Sequence, residues 1–498
     1  MAENQQATQA APAQGAVAEI GELDKLLERD FKPKTAGARD AIKAAVQTLA
    51  EQALQGVATV PDDAVKSIEA IIAAIDEKLS QQVNEIIHHP DFQKLEGSWR
   101  GLSHLIKNTE TDEMLKIRVF NISKKELGKT LKKFEGTAWD QSPIFKKIYE
   151  DEYGVAGGTP YGCLVGDYEF DHGAPDVAML NSLAQIGASA HTPFITAAAP
   201  TLFQMDGWTE LNNPRDLTKI FESPEYASWR SLRASEDSRY LGLCMPRFLS
   251  RLPYGAKTSP VEEFAFEEDT ASADHSKYTW SNSAYAMATN ITRAFKLYGW
   301  CARIRGVESG GVVEGLPVHS FPTDDGGVDM KCPTEVAVPD RREAELSKLG
   351  MLALTHWKNT DFAAFIGGQS LQKPQEFENP NATANAMLSA RLPYLFATCR
   401  FAHYLKCMVR DKIGSFKERA DMERWLNNWI QQYVEPDPLN ATEEAKARRP
   451  LAEAKVEVEA VQENPGYYKS KFWLRPHFQL EGLTVSLRLV AQLPSGKK

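Results

Sequence analysis

The sequence predicts a mixed α/β protein, and three observations predict it. Strand-like apolar runs alternate with stretches of helical periodicity through the middle of the chain. A helix-rich segment precedes that alternation, and a pair of strand-like runs closes the chain. At 498 residues, the usual allotment of roughly 100–200 residues per domain gives two to four domains. The division expected is 1–37, a flexible arm with an amphipathic helix; 38–110, a helical segment; 111–435, the mixed α/β body with exposed loops and a peripheral insertion; and 436–498, a linker with terminal strands.

Residues 1–18 are rich in Gln, Ala and Pro and supply few anchoring side chains. In Glu19–Phe31, Ile20, Leu23 and Leu27 recur at i, i+3 and i+7, with Leu26 alongside and acids between them. That is a short amphipathic helix ended by Pro33. A helix of this length is marginal alone in water, so its stripe needs a partner, either another protein or the chain's own body.

Residues 38–87 continue the helical period into the stretch HHPDFQKLEGSWRGLSHLI at 88–106. Pro90 suits the first turn of a helix. Phe92, Leu95, Trp99, Leu102 and Ile106 follow at spacings of 3, 4, 3 and 4, one apolar stripe. Gly97 and Gly101 fall on another face. A glycine costs about 1 kcal/mol inside a helix, so two of them imply a closely packed backbone on that side. The helix is built to be touched on more than one side.

The alternation then begins. Runs 114–122 (MLKIRVFNI), 161–170, 192–199, 239–245 and 363–368 read as strands. Runs 124–134, 175–190, 283–304 and 385–413 read as helices, the last with Pro393 as a start or a kink. Segments 250–274 and 306–339 are rich in Gly, Pro and acids and read as exposed loops or an insertion. Residues 436–466 read as a charged linker, and 471–493 as two strands around Glu481–Gly482. In the second, Leu483, Val485, Leu487 and Leu489 alternate with polar residues. Such a hairpin either completes its own sheet or extends a neighbour's by strand addition.

Composition excludes several functions. A net charge of -10 argues against a nucleic-acid partner, which rewards basic surfaces. Apolar runs of about six residues, such as Ala70–Ile75, fall far short of the about 20 a membrane span needs, so no direct membrane insertion is expected. The first 24 residues hold no Lys or Arg, so a secretory signal is not expected and the compartment is the cytoplasm. The six cysteines contain no C-x-x-C pair and read as small buried hydrophobes. His88 and His89 are adjacent, point about 100° apart on a helix and so cannot share a ligand face. Gly128-Lys129-Thr130 ends like a phosphate-binding loop, but Ser123 stands where its first glycine belongs. No catalytic, cofactor or metal residue is assigned, and the chain is not expected to be an enzyme.

The stretch at 88–106, followed by MLKIRVFNISKKEL, resembles the large sheath subunit of bacterial type VI secretion systems, the TssC or VipB family. The resemblance continues through GTPYGCLVGDYEF, LAQIGASAHTPFITAAAP, RYLGLCMPRFLSRLPYG and FWLRPHFQLEGLTVSLRLVAQLP, and so covers most of the chain. It implies a contractile-sheath fold and a structural role. Such a subunit forms a heterodimer with a smaller TssB/VipA-like subunit, and neighbouring pairs stack into a helical tube on a baseplate around an Hcp inner tube. The 38–110 segment, with Phe92, Leu95, Gly97, Trp99, Gly101 and Leu102, would pack with the small subunit. Ile20, Leu23, Leu26 and Leu27 would meet a ClpV-type AAA+ ATPase. Phe472, Leu474, Phe478, Leu480, Leu483, Val485, Leu487 and Leu489 would form inter-subunit strands. No cofactor is implied. A sheath from a phage-tail-like contractile particle is the alternative, with no small subunit and no ATPase-binding helix.

Overall fold

The computed structural model describes residues 64–477 apart from 214, 271–274, 323–325, 413–414, 416–417 and 461–467, together with Gln479 and positions 37, 40, 41, 44 and 48. The amphipathic segment carrying Ile20, Leu23, Leu26 and Leu27 lies outside the described residues, as do Phe478, Leu480, Leu483, Val485, Leu487 and Leu489. The chain divides into two compact units, residues 1–92 with 253–273, and 93–252 with 274–498.

In the first unit, helix α1 (Ala64–Ile87) meets the 253–273 loop. The Asn84 amide pairs with that loop as a peptide would. Its Nδ2 donates to the Glu267 carbonyl at 3.3 Å, and its Oδ1 accepts from the Asp269 N–H at 2.9 Å. His88, just past the helix end, places Nε2 3.3 Å from Glu268. Its place is structural, at a helix boundary.

The second unit begins within α2 (Pro90–Lys107) and is organised by a six-stranded sheet. After α2 comes α3 (Lys124–Lys133), whose start is a capping box. Ser123 Oγ accepts from the Glu126 N–H and Glu126 Oε2 accepts from the Ser123 N–H. Gly128, the failed phosphate-loop glycine, lies in this helix where a Cβ would come within 2.8 Å of Met179. The elements that follow are β1 (Leu164–Phe170), α4 (Ala174–Ala190), β2 (Phe194–Ala198), β3 (Leu241–Met245), α5 (Ser283–Tyr298), β4 (Val312–Val313), α6 (Asp340–Lys348), β5 (Met351–His356) and β6 (Ala363–Phe365).

The sheet order is β1-β2-β3-β5-β6-β4. The first four strands run parallel, in register through Leu164–Phe194, Phe194–Leu241 and Leu243–Met351, and β6 pairs antiparallel with β5 and β4. Because side chains alternate faces, Phe194, Leu243 and Met351 enter one core with α4, while Ile195, Cys244 and Leu352 enter the other with α5. Both faces are covered at the sheet centre, so β2 and β3 are buried along their whole length and do not alternate, whereas the edge strand β1 carries Asp167 and Glu169. Helix α5 is capped by Asn282 and stopped by Gly299 at φ +79°, a conformation glycine adopts without penalty.

A third core belongs to the C-terminal part. It joins α7 (Leu392–Asp411), α8 (Arg419–Ile430), β7 (Leu451–Ala460) and β8 (Tyr468–Pro476) around Trp300, which stacks on Phe401 with centroids 4.2 Å apart. Pro393 is a start, in the first turn of α7, and a separate helix occupies Pro380–Ser389.

Two sequence expectations are corrected here. Residues 114–122 form no strand; Leu115–Ser123 runs without helix, turn or bend outside every sheet. Residues 451–460, expected as linker, are β7, whose antiparallel partner is β8. Its charged residues Lys455, Glu457 and Glu459 sit on one face, while Val456 and Val458 are buried on the other. Several strands were missed: β5, an apolar run at the sheet centre between β3 and β6, and short ones such as β4 and the pair His319–Pro322 with Val328–Lys331, which lie in the 306–339 stretch expected as loop.

Candidate partner-docking surface

Helix α2 has two faces with opposite fates. Gly97, Gly101 and Leu105, four residues apart, are its buried row. A Cβ on Gly97 would collide with the Trp280 carbonyl oxygen, and one on Gly101 with the Tyr285 ring. The two glycines therefore let the helix backbone lie directly on β-bridged and α5 residues, as their cost to the helix implied. Ser281 Oγ donates to the Gly97 carbonyl at 2.8 Å.

Beside them an ionic clamp fixes the helix. Arg251 Nε and Arg100 Nε each donate to Glu96 Oε1 at 2.7 Å, and the Thr279 hydroxyl donates to Oε2 at 3.0 Å. Burial works to raise the Glu96 carboxyl, but the two guanidiniums outweigh it and hold it below its usual range. At the far end, the Thr109 and Thr292 hydroxyls meet at 2.9 Å.

The opposite face carries the apolar stripe, and nothing among the described residues covers it. Leu95 is 57% exposed, Trp99 65% and Ile106 48%. Phe92, assigned to the first unit, is 39% exposed, and Leu102 alone of the stripe turns partly into a core. The structure thus separates what the sequence grouped together. Gly97, Gly101 and Leu102 face inward; Phe92, Leu95 and Trp99 face solvent. Arg251 and Tyr285, which hold the helix, sit about 150 and about 180 residues away in the sequence and carried no local signal.

Of the terminal residues, Phe472 and Leu474 pack against the C-terminal core on the inner face of β8, and Trp473 is 61% exposed on the outer face.

The polar clusters elsewhere are structural in geometry. Glu335 accepts two bonds of 2.7 Å from Arg247, and His275, stacked on Trp280, lies 3.4 Å from it. Burial opposes the ionised Glu335, and Arg247 with His275 reverses that, so its carboxyl titrates below the usual range. Cys332 lies beside His356 and 3.1 Å from the Thr334 hydroxyl. No group of three or more His, Cys, Asp or Glu among the described residues is arranged to hold a metal ion. None of the described helices is long and apolar enough to cross a membrane.

Comparison with known proteins gives a consistent result. Residues 69–372 match the family model described as EvpB/VC_A0108, tail sheath N-terminal domain, and residues 381–493 match its gpW/gp25-like domain. A type VI secretion system sheath protein, TssC1 from Pseudomonas aeruginosa, is 69% identical over 488 residues, 98% of each chain. Among solved structures, a chain of the cryo-EM anti-feeding prophage baseplate aligns with a TM-score of 0.36 and 9% identity, covering 63% of this chain and 65% of that one. A chain of the same particle's helical sheath in the contracted state aligns with a TM-score of 0.28 and 12% identity, covering 63% and 66%. Neither superposition is close enough to bear on function.

Proposed function

The chain belongs to the EvpB/VC_A0108 tail sheath family, and from that premise we propose that it acts by pairing with a smaller sheath subunit through the open face of α2. It is the large structural subunit of a type VI secretion contractile sheath. The observation that supports the pairing is the helix locked on its glycine side while Leu95 and Trp99 stand in water. Exposed aromatic and aliphatic anchors on a rigid helix are the chemistry of an interface centre.

In the sheath, these pairs stack into an open helix, because a heterologous contact that does not close into a ring propagates. The tube surrounds an Hcp inner tube, rises from a baseplate and is cytoplasmic. Contraction exchanges one packing of the subunits for another of lower free energy, so the subunit needs no nucleotide site. The terminal strands, Phe472–Leu489, interlock with neighbouring subunits, and Ile20, Leu23, Leu26 and Leu27 present a stripe to an AAA+ ATPase that recycles spent sheath.

Co-expression with the smaller subunit tests the pairing. Tubes should appear by electron microscopy, and Leu95→Asp with Trp99→Asp should abolish them while shifting the monomer's stability by less than about 0.5 kcal/mol, as for exposed sites. Tubes assembled from that variant would overturn the reading. Leu23→Asp with Leu27→Asp should leave tubes intact and block their ATP-dependent disassembly. Removing residues 480–498 should permit pairs and prevent tubes.

A further inference from the structure

The segment Lys116–Asn121 is a strand in composition and an orphan in structure. Ile117, Val119 and Phe120 are strong strand formers. Yet none of the six backbone N–H groups and none of the six C=O groups of this segment makes a hydrogen bond among the described residues. Val119 is 66% exposed and Phe120 54%.

The segment is nonetheless held in place. Ile117 and Ile122 are anchored in different cores. The Tyr168 hydroxyl donates to the Ile122 carbonyl at 2.7 Å, and Asp112 Oδ1 accepts from the Met114 and Leu115 N–H groups at 2.8 Å. The Arg118 guanidinium is fixed by Glu152 and by Thr159 at 3.2 Å. A row of unpaired peptide groups, pinned at both ends, is a preordered template for strand addition, because the ordering entropy is already spent.

The surroundings define the occupant. Phe120, Phe134, Pro143, Ile144, Lys146 and Lys147 line a cavity of about 730 Å³, with Asp151 the acid on its rim. Residues 116–147 hold nine Lys and Arg against three Asp and Glu, in a chain whose net charge is -10. Among the described residues, Lys116, Lys125, Lys129, Lys132, Lys133, Lys146 and Lys147 enter no ion pair, unlike Lys124, which is bonded to Asp176. An apolar hole in a basic rim fits an extended segment with apolar and acidic side chains. The chain's own residues 480–498 fit poorly, with Arg488, Lys497 and Lys498 against Glu481.

We propose that Lys116–Asn121 receives a β-strand from a second polypeptide of the sheath, one alternating apolar and acidic residues, which zips onto the free backbone and seats a side chain beside Phe120. This rests on the partnership proposed above and adds a second, backbone-mediated contact to it.

Hydrogen–deuterium exchange on the isolated chain and on tubes assembled with the smaller subunit tests it. Amides of residues 116–121 should exchange freely in the chain alone and slow by about tenfold or more in the tube, as laddered amides do. Val119→Pro, which deletes an N–H unused by the described fold, should abolish co-assembly with the monomer's melting unchanged, whereas Val119→Thr should assemble normally. Lys146→Glu with Lys147→Glu should weaken pairing at least about tenfold, the effect of placing like charges at a contact. Tubes that form with 116–121 still exchanging freely, or that form from Val119→Pro, would overturn this inference and leave the α2 pairing standing. Failure of the unaltered chain to assemble at all would overturn both. Tight binding of a single-stranded RNA oligonucleotide that the lysine changes abolish, with assembly unaffected, would reassign the patch and overturn it too.

Discussion

The Nε2 of His403 lies 2.8 Å from the carbonyl oxygen of Ala190, tying the middle of α7 to the last residue of α4. A carbonyl only accepts, so this nitrogen bears the proton. Nδ1 is buried and has no hydrogen-bond partner among the described residues. Burial pushes the imidazole down to about 4, and Arg400, His191 and Lys406 add to the effect. The unfolded chain takes up a proton near pH 6.5 that the folded chain refuses, so stability falls as pH drops from there toward 4. We expect His403→Gln, whose amide can make the same bond, to remove about 2–3 kcal/mol of the stability lost between pH 7 and pH 4. Urea titrations across that range measure the difference between the two slopes.

Glu335 anchors the short bridged segments around Phe248 and Trp280 by its two bonds to Arg247. Its folded titration lies below the ordinary one, so its contribution is present above the unfolded carboxyl's value and fades as pH falls through the folded one. Glu335→Ala should cost about 1–3 kcal/mol at neutral pH, the loss of two charge-assisted hydrogen bonds, because Arg247 is partly exposed and keeps Glu169 at 4.0 Å. Glu335→Ala combined with Arg247→Met should recover part of that loss in denaturant midpoints.

The two glycines of α2 should not respond alike to alanine. Either change relieves about 1 kcal/mol of helix penalty. At Gly97 the obstacle is a backbone carbonyl, whereas at Gly101 it is a Tyr ring that can swing. We expect Gly97→Ala to destabilise by about 1–3 kcal/mol net and Gly101→Ala by clearly less. Thermal melts of both variants decide it, and equal losses would contradict the packing described.

Cysteine reactivity offers a further check. Burial pushes the Cys163, Cys244, Cys301 and Cys399 thiols up. At Cys332 burial acts in the same sense, but His356 and Thr334 outweigh it and lower the thiol. The imidazole is held by its Nε2 bond to the Thr360 carbonyl at 2.9 Å. Under native conditions iodoacetamide should therefore label Cys332 well before these four, and His356→Ala should slow it about tenfold, as loss of thiolate character requires. Peptide mass spectrometry over a time course reads both.

Much of this fold was legible in the residues because local rules and global packing agree. The helical periods at 124–134 and 175–190 and the apolar runs of β2 and β3 each announce themselves within a few positions, whereas the helix expected over 283–304 stops at Tyr298, where Gly299 turns left-handed. The errors have identifiable causes. In β7 the dense charge of Lys455, Glu457 and Glu459 disguised an ordinary half-buried alternation. In 114–122 strand propensity was correctly read, but a strand is defined by its ladder, and propensity says nothing about whether one is present. On α2, the two glycines marked a closely packed side but could not say whether its neighbour is the chain's own body or another protein. The glycines, not the aromatics, take the inside because Trp280 and Tyr285 come to meet them, and those residues are brought there by the fold.

A molecule that leaves Leu95, Trp99, Val119 and Phe120 in water is poorly suited to a solitary life. Synthesised in excess of its companions, it would offer sticky helix and strand surfaces to every other orphan copy, the kind of exposure that clumps or attracts proteases. Production in step with the partner then becomes part of the protein's solubility. A cell making too much of this chain should lose the surplus to degradation or inclusion bodies, and the amount of companion present should set how much survives.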